Sequence, residues 1–363
     1  MRYFLNHSIP LIIFIILYLP GHARLHDFDS LVQHSVTFKE YIDSIKDNFD
    51  IFNEDEILNV TFRSDFRNLI KKKLQDEYQP AVLEIVMFDS VKVKWDITIR
   101  PRGEFRRTGC NIPPIKLNFS KEKAIFKQFE EFDKVKFVGN CKSGDLYDVY
   151  LVEEYYIYKM YNLLTPFGYR VRLMKVNYID TSGKKKPWEN YAFIMESTDQ
   201  MAARLNGVNF EREGLSSKMI DGKMATVLDI FQFMIGNTDY NLSVLHNIKL
   251  LKIVDGNFPK PVAVPFDFDY CGLINAYYAV PDENLPIEYV RERFFLGACR
   301  EREAYTNIFQ ILRDKREEME ALFLKSEYLP EKAKRGPLTY LEEFYKIINS
   351  EATVKYYILN NCH

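Results

Sequence analysis

The cleanest alternation of apolar and polar residues in the chain is VKVKWDITIR. Val91, Val93, Trp95, Ile97 and Ile99 fall on one face, and Lys92, Lys94, Asp96, Thr98 and Arg100 on the other. A period of two predicts a strand that buries one side and wets the other. ILNVTFRS, AVLEIVMF, PPIKLNF and KVKFVGN also read as strands, with a short helix over DFRNLIKKKLQ capped by Ser64 or Asp65. The period then changes. In DVYLVEEYYIYKMYNLLTPFG, Leu151, Tyr155, Tyr158, Tyr161 and Leu164 recur near helical spacing, and Pro166 and Gly168 stop the run. YRVRLMKVNYID and NYAFIMES return to strands across the basic loop TSGKKKPWE. Beyond residue 200 the chain turns helical. KMATVLDIFQFMIGN ends at Gly236, IKLLKIV and PVAVPF form a hairpin around Asp255-Gly256-Asn257, and helices fill residues 287–349, one of them carrying VRERFFLGACRERE.

This order predicts an α+β fold in two lobes: a mainly antiparallel, β-rich lobe over residues 57–200 and a mainly helical lobe with a two-stranded insert over residues 201–363. Ahead of them, residues 24–56 are polar and mixed and read as a mobile leader. The first 23 residues read as a secretory signal: Arg2, the apolar run IPLIIFIILYLP, then Gly21 and Ala23 before a cut at Arg24. The apolar run is shorter than the roughly 20 residues of a spanning helix. The protein is therefore expected to be exported, to the periplasm or the extracellular space, with no transmembrane segment after cleavage.

Composition narrows the function. A net charge of −2 gives no global basic field for nucleic acid, and 15% aromatic residues argue against disorder over most of the length. Five cysteines without a CxxC pair make a zinc site a poor reading. In an oxidising compartment Cys110 pairs with Cys141, since both flank neighbouring strands, or the five stand as separate thiols. The odd count leaves one over, with Cys362 near the chain end the expected free thiol. There is no GxSxG elbow and no HExxH.

The chemistry concentrates between Gly236 and Gly272. Asp239 follows a buried helix, His246 and Asn247 open a strand, and Asp267 and Asp269 end the next one. A hairpin brings those loops together. Three carboxylates and an amide at one end of it suit phosphoryl transfer, where one carboxylate orients the attacking hydroxyl and hard oxygens hold Mg²⁺ or Mn²⁺.

GNTDYN, HNIKLL and PVAVPFDFDYCG together resemble the core of the spore-coat protein H (CotH-like) atypical kinases, and ITIRPRGEFRR with PPIKLNF resembles that family's R-x-RG turn and lysine-bearing strand. Nearly the whole chain also resembles a group of uncharacterised exported bacterial proteins with GNTD, HN-x-KL, P-(aromatic)-DFDY and V-R-E-R segments. The resemblance implies a two-lobed atypical protein-kinase-like fold that uses ATP and Mg²⁺ or Mn²⁺. It makes Asp239 the catalytic aspartate, with Asn247, Asp267 and Asp269 on the metal. Lys116 would reach the phosphates, and Arg102 would do the same or brace the turn at Gly103. Glu154 (or Glu153) would pair with the lysine, or both stand as solvated surface charges on the helix; Glu196 would face the nucleotide or stand as a strand-end surface carboxylate. Arg106 and Arg107 bind an anionic substrate or solvate a loop. The acceptor would be a hydroxyl on an extracytoplasmic protein or glycan. Two rivals stand beside this reading: an inactive kinase-like binding protein of the cell envelope, and a metal-dependent phosphoesterase.

Overall fold

The computed structural model describes residues 43–87, 91–103, 105–254 and 256–362. The expected signal segment lies outside them. The chain divides into two compact units, Met1–Asp47 and Asn48–His363. Of the first, a helical turn over residues 43–45 is described, with Lys46 reaching Asp43 at 3.3 Å. All the described strands belong to the second unit.

Seven strands close into a barrel in the order β1-β2-β3-β4-β5-β7-β6. They are β1 (Leu58–Ser64), β2 (Gln79–Met87), β3 (Val91–Pro101), β4 (Ile115–Phe119), β5 (Lys134–Gly139), β6 (Val171–Asp180) and β7 (Trp188–Met195). The alternation read from sequence sets what fills it. Val93, Trp95, Ile97 and Ile99 on β3, and Ile115, Leu117 and Phe119 on β4, are all buried. Phe62, Phe66, Phe137, Tyr178 and Trp188 pack their rings together inside. Asp65 caps the turn after β1, accepting the Asn68 amide at 2.8 Å. Closure comes from β1 pairing in parallel with β6, Leu58 opposite Met174 through Ser64 opposite Asp180.

Between β5 and β6 runs the helix α1 (Asp145–Leu164), and it is buried on nearly every side. Its tyrosines and aliphatics enter one continuous core with α2 (Gly222–Ile235), α3 (Arg302–Asp314), α4 (Arg316–Leu324) and α5 (Glu331–Ile348). A second sheet of three strands, β10-β9-β8, joins this layer: β8 (Gly207–Asn209), β9 (Ile248–Ile253) and β10 (Val262–Pro265).

These facts overturn the expected two-lobed kinase-like fold. The first half is a closed mixed barrel rather than an open antiparallel lobe, because β1 and β6, far apart in sequence, meet in parallel. Nor does packing divide at residue 200, since α1 belongs to the same apolar cluster as the C-terminal helices.

Three smaller expectations also change. Residues 48–56 are tied to the barrel: Ile51 and Phe52 are buried, and Arg172 donates to the carbonyls of Ile51 and Glu56, both at 3.0 Å. VRERFFLGACRERE is not a helix; regular helix begins only at Arg302. The segment lies as a strap whose Arg293 guanidinium sits 3.5 Å from the centre of the Tyr340 ring, and Gly297 lets it press against Asp229, where a Cβ would collide. Cys362 is not free. It pairs with Cys299, while Cys110 pairs with Cys141 as expected, and the free thiol is buried Cys271. Two disulfides are weakly compatible with an exported protein. Among the described residues no helix is long and apolar enough to cross a membrane.

Candidate active site

Helix α2 aims the first group. It starts at Asp221, whose side chain accepts the Met224 amide at 2.9 Å, and stops at Gly236 in the left-handed region at φ 66°. The chain then turns through buried Asn237, whose Oδ1 accepts the Asp239 amide at 3.0 Å. The Asp239 carboxylate is held by two neighbours: His246 Nε2 at 2.8 Å from Oδ1, and Asn247 Nδ2 at 3.0 Å from Oδ2. The same Asn247 nitrogen donates to the Asp239 carbonyl at 2.8 Å. Asp239 keeps 40% of its side chain exposed, so it is fixed yet reachable.

The second group sits on the next loop. The Phe266 amide donates to the Asn247 carbonyl at 3.0 Å, which ties the end of β10 to the start of β9. Asn247 at φ 53° and Asp267 at φ 64° both adopt the left-handed region, which is uncommon for residues with a side chain. The Asp267 amide donates to the Tyr158 hydroxyl of α1 at 2.9 Å. From the other side comes Arg106, on the short helix Phe105–Gly109. Its Nη2 lies 3.2 Å from Asp267 Oδ1 and 2.5 Å from Asp269 Oδ2. Tyr278 also donates to Asp269 Oδ2, at 3.1 Å.

Below this pair lies Glu154, only 3% exposed. Burial pushes its carboxyl up to about 8; Arg106 works against that rise, and Asp269 and Asp267 add to it. The Phe268 amide opposes the rise more weakly. Burial likewise raises Asp269, and Arg106 opposes it. The Tyr270 hydroxyl is raised first by burial and then by Asp269, Asp239 and Asp267, so it feels all three aspartates.

Cations line the barrel side. Arg102, next to Gly103 at φ 76°, feels the charge of Asp267, and its Nε is buried without a partner among the described residues. Lys136 on β5 lies over the rings of Tyr169 and Phe266, 4.8 Å from each centre. Burial drives its amine down to about 7; Arg102 lowers it further and Asp267 opposes.

Two expected residues are placed differently. Lys116 stands directly opposite Lys136 on β4, one strand further away. Its amine is lowered by burial and by Arg100, Lys134 and Arg102, with only Asp133 acting the other way. Glu196 is fully buried between Arg170 (Nε at 3.1 Å) and Arg204 (Nη2 at 2.8 Å), which makes it a brace at the end of β7. Burial raises the carboxyl of Glu153, also on α1, and Arg291 opposes that rise. Of the two lysines, Lys136 is the one that feels the charge of Asp267. Local pattern does not separate them: Lys116 lies between Ile115 and Leu117, and Lys136 between Val135 and Phe137.

The donor set sets limits on a cation. Among the described residues no three His, Cys, Asp or Glu side chains form a metal-holding group. Asp269 is occupied by Arg106 and Tyr278. Asp267, with 44% of its side chain exposed, and Asn247 offer hard oxygens on adjoining loops. That is the sparse set Mg²⁺ accepts when substrate phosphates complete its shell. The chain matches no protein-family model and no curated protein.

Proposed function

We propose that this site transfers a phosphoryl group from a nucleotide to a hydroxyl on an extracytoplasmic protein or glycan. The observation that carries the reading is the meeting of Asp267, at a left-handed φ of 64°, with barrel cations that are only partly neutralised: Arg102, whose Nε has no partner among the described residues, and Lys136, lowered to about 7. Such cations favour the anionic oxygens of a phosphate chain. Asp239 suits the task of accepting the proton of the attacking hydroxyl, because His246 and Asn247 fix its direction while leaving it open to solvent. Asp267 and Asn247 would hold Mg²⁺ or Mn²⁺, which when bound offsets charge on the phosphate oxygens.

One observation favours a second reading, an envelope binding protein without turnover. Arg106 already bridges Asp267 and Asp269, so a guanidinium charge takes the place where a cation would act. Thermal unfolding with ATP, with and without Mn²⁺, separates the two. The transferase reading expects Mn²⁺-dependent stabilisation by ATP that Asp267→Ala abolishes. Wild type unmoved by ATP with Mn²⁺ leaves the binding reading.

A further inference from the structure

Beside the carboxylate cluster is a cavity of about 220 Å³. Pockets for drug-sized ligands run to about 300–1,000 Å³, so this one is the size for a single ring. Tyr147 and Tyr150 from the start of α1 face Tyr277 and Tyr278 from the loop after Asp269. The rings brace one another: Tyr147 stacks on Tyr278, Tyr150 meets it edge-on, and the Tyr277 amide donates to the Tyr150 hydroxyl at 3.3 Å. The wall is the Cys110–Cys141 disulfide, which also anchors the turn bearing Arg106. The floor is Asp269, Arg106 and Glu154, with Lys142 at the rim donating to the Tyr277 hydroxyl at 3.2 Å.

That lining discriminates between ligand chemistries. A quaternary ammonium would welcome the aromatic faces, but Arg106 and Lys142 put positive charge on the wall. A phosphate or carboxylate would meet Asp269. A purely apolar group would strand the polar floor without water, which is costly. A pyranose has what the pocket asks for. Its C–H face lies against a tyrosine ring, and its ring of hydroxyls both donates and accepts. Asp269 accepts, Arg106 and Lys142 donate, and tyrosine hydroxyls do either.

We infer that this pocket binds one pyranose ring of a glycan, stacked among Tyr147, Tyr150, Tyr277 and Tyr278 with its hydroxyls on Asp269 and Arg106. The binding stands independently of catalysis; use of the ring as phosphoryl acceptor rests on the transferase reading, since the same Arg106 separates pocket and Asp267.

Calorimetric titration of the full chain tests this with the methyl glycosides of glucose, galactose, mannose and N-acetylglucosamine, beside adenosine and tetramethylammonium. At least one glycoside should bind saturably. Tyr278→Ala and Tyr277→Ala should each weaken it about fivefold or more, the scale of one lost aromatic contact. Tyr277 is 59% exposed, so its replacement leaves the fold intact should Tyr278→Ala misfold. No heat with any glycoside overturns the inference, as does binding unchanged in a folded Tyr277→Ala variant, or adenosine or tetramethylammonium binding in place of the glycosides. Failure of ATP to stabilise the protein would remove the transferase reading while leaving the pocket standing.

Discussion

Two arginine–carboxylate clusters use the same groups in opposite proportions. At the end of β7 one carboxylate, Glu196, is shared by two guanidinia. Oε1 takes the Arg170 amide and Arg204 Nη2, both at 2.8 Å, and Oε2 takes Arg170 Nε at 3.1 Å. Arg170 then reaches Asp50 at 2.7 Å and Arg204 reaches the Gly168 carbonyl at 2.9 Å. At the hairpin one guanidinium, Arg106, serves two aspartates, with a third acid, Glu154, beneath and two further cations opposite. In the first cluster each group is matched, and the result ties strands to loops. In the second, charges outnumber their direct partners, the backbone is twisted into left-handed conformations, and Asp267 is open to water. Buried polar groups left partly satisfied mark a place where an incoming ligand changes the balance.

Removing the shared anion of the first cluster should cost the most. Glu196→Ala leaves Arg204 without this carboxylate and Arg170 with Asp50 alone, so stability should fall by about 3–5 kcal/mol, the scale for losing one partner of a buried pair. Denaturant unfolding measures it. Nucleotide response, corrected for the folded fraction, should be unchanged. A loss below about 1 kcal/mol would mean the cluster is no brace.

Next comes pH, which distinguishes the second cluster from the first. Glu154 has a folded pKa of about 8, above its ordinary value of 4.5. The folded state therefore binds more protons than the unfolded state between those values. Stability is then greatest below pH 4.5 for this group and is lost as pH rises through about 8. Glu154→Gln should flatten that decline, gaining on wild type at pH 8 and losing the advantage by pH 5. Arg106→Ala should do the reverse. With the guanidinium gone the pKa values of Glu154 and Asp269 rise further, and the variant should be weakest at alkaline pH. Parallel denaturation curves at the two pH values check both variants; identical slopes would show that the three acids are not coupled.

The contrast also explains what could be read from sequence. The barrel strands follow from alternation, because one face of each is dry and the other wet, and Gly236 marks the end of α2 because a left-handed cap favours glycine. Barrel closure was not legible. Nothing local in LNVTFRS or VRLMKVNYID announces that Leu58 will meet Met174 in parallel. Asp239, Asn247, Asp267 and Asp269 could be grouped from sequence because a hairpin collects its flanking loops. Glu153 and Glu154 read as surface charges on an amphipathic helix, yet α1 is packed on both sides, so the polar positions are buried as well. Cys299–Cys362 spans 63 residues and depends on how the C-terminal helices fold back, which residue spacing does not encode.

Lys116 and Lys136 call for a finer measurement, since replacing either should move stability little. Both lie on neighbouring strands, directly opposite each other, and both have lowered amines. Only Lys136 is lowered to about 7, and only Lys136 feels Asp267. Near neutral pH it is therefore divided between charged and neutral forms. A phosphate placed against it would stabilise the charged form and raise its pKa, so nucleotide binding at pH 7.5 should take up a fraction of a proton. Calorimetry in two buffers of different ionisation enthalpy reads that uptake directly. Lys136→Met should remove the uptake and weaken binding about tenfold, the scale of one charge-assisted contact. Lys116→Met should keep the uptake and change affinity about twofold, because it acts only through the shared positive field. If instead Lys116→Met removes the uptake, the phosphates lie one strand further out. The strand with the R-x-RG neighbour would then hold the binding lysine, and the cations nearest Asp267 would be structural partners of Arg106 rather than ligands of a nucleotide.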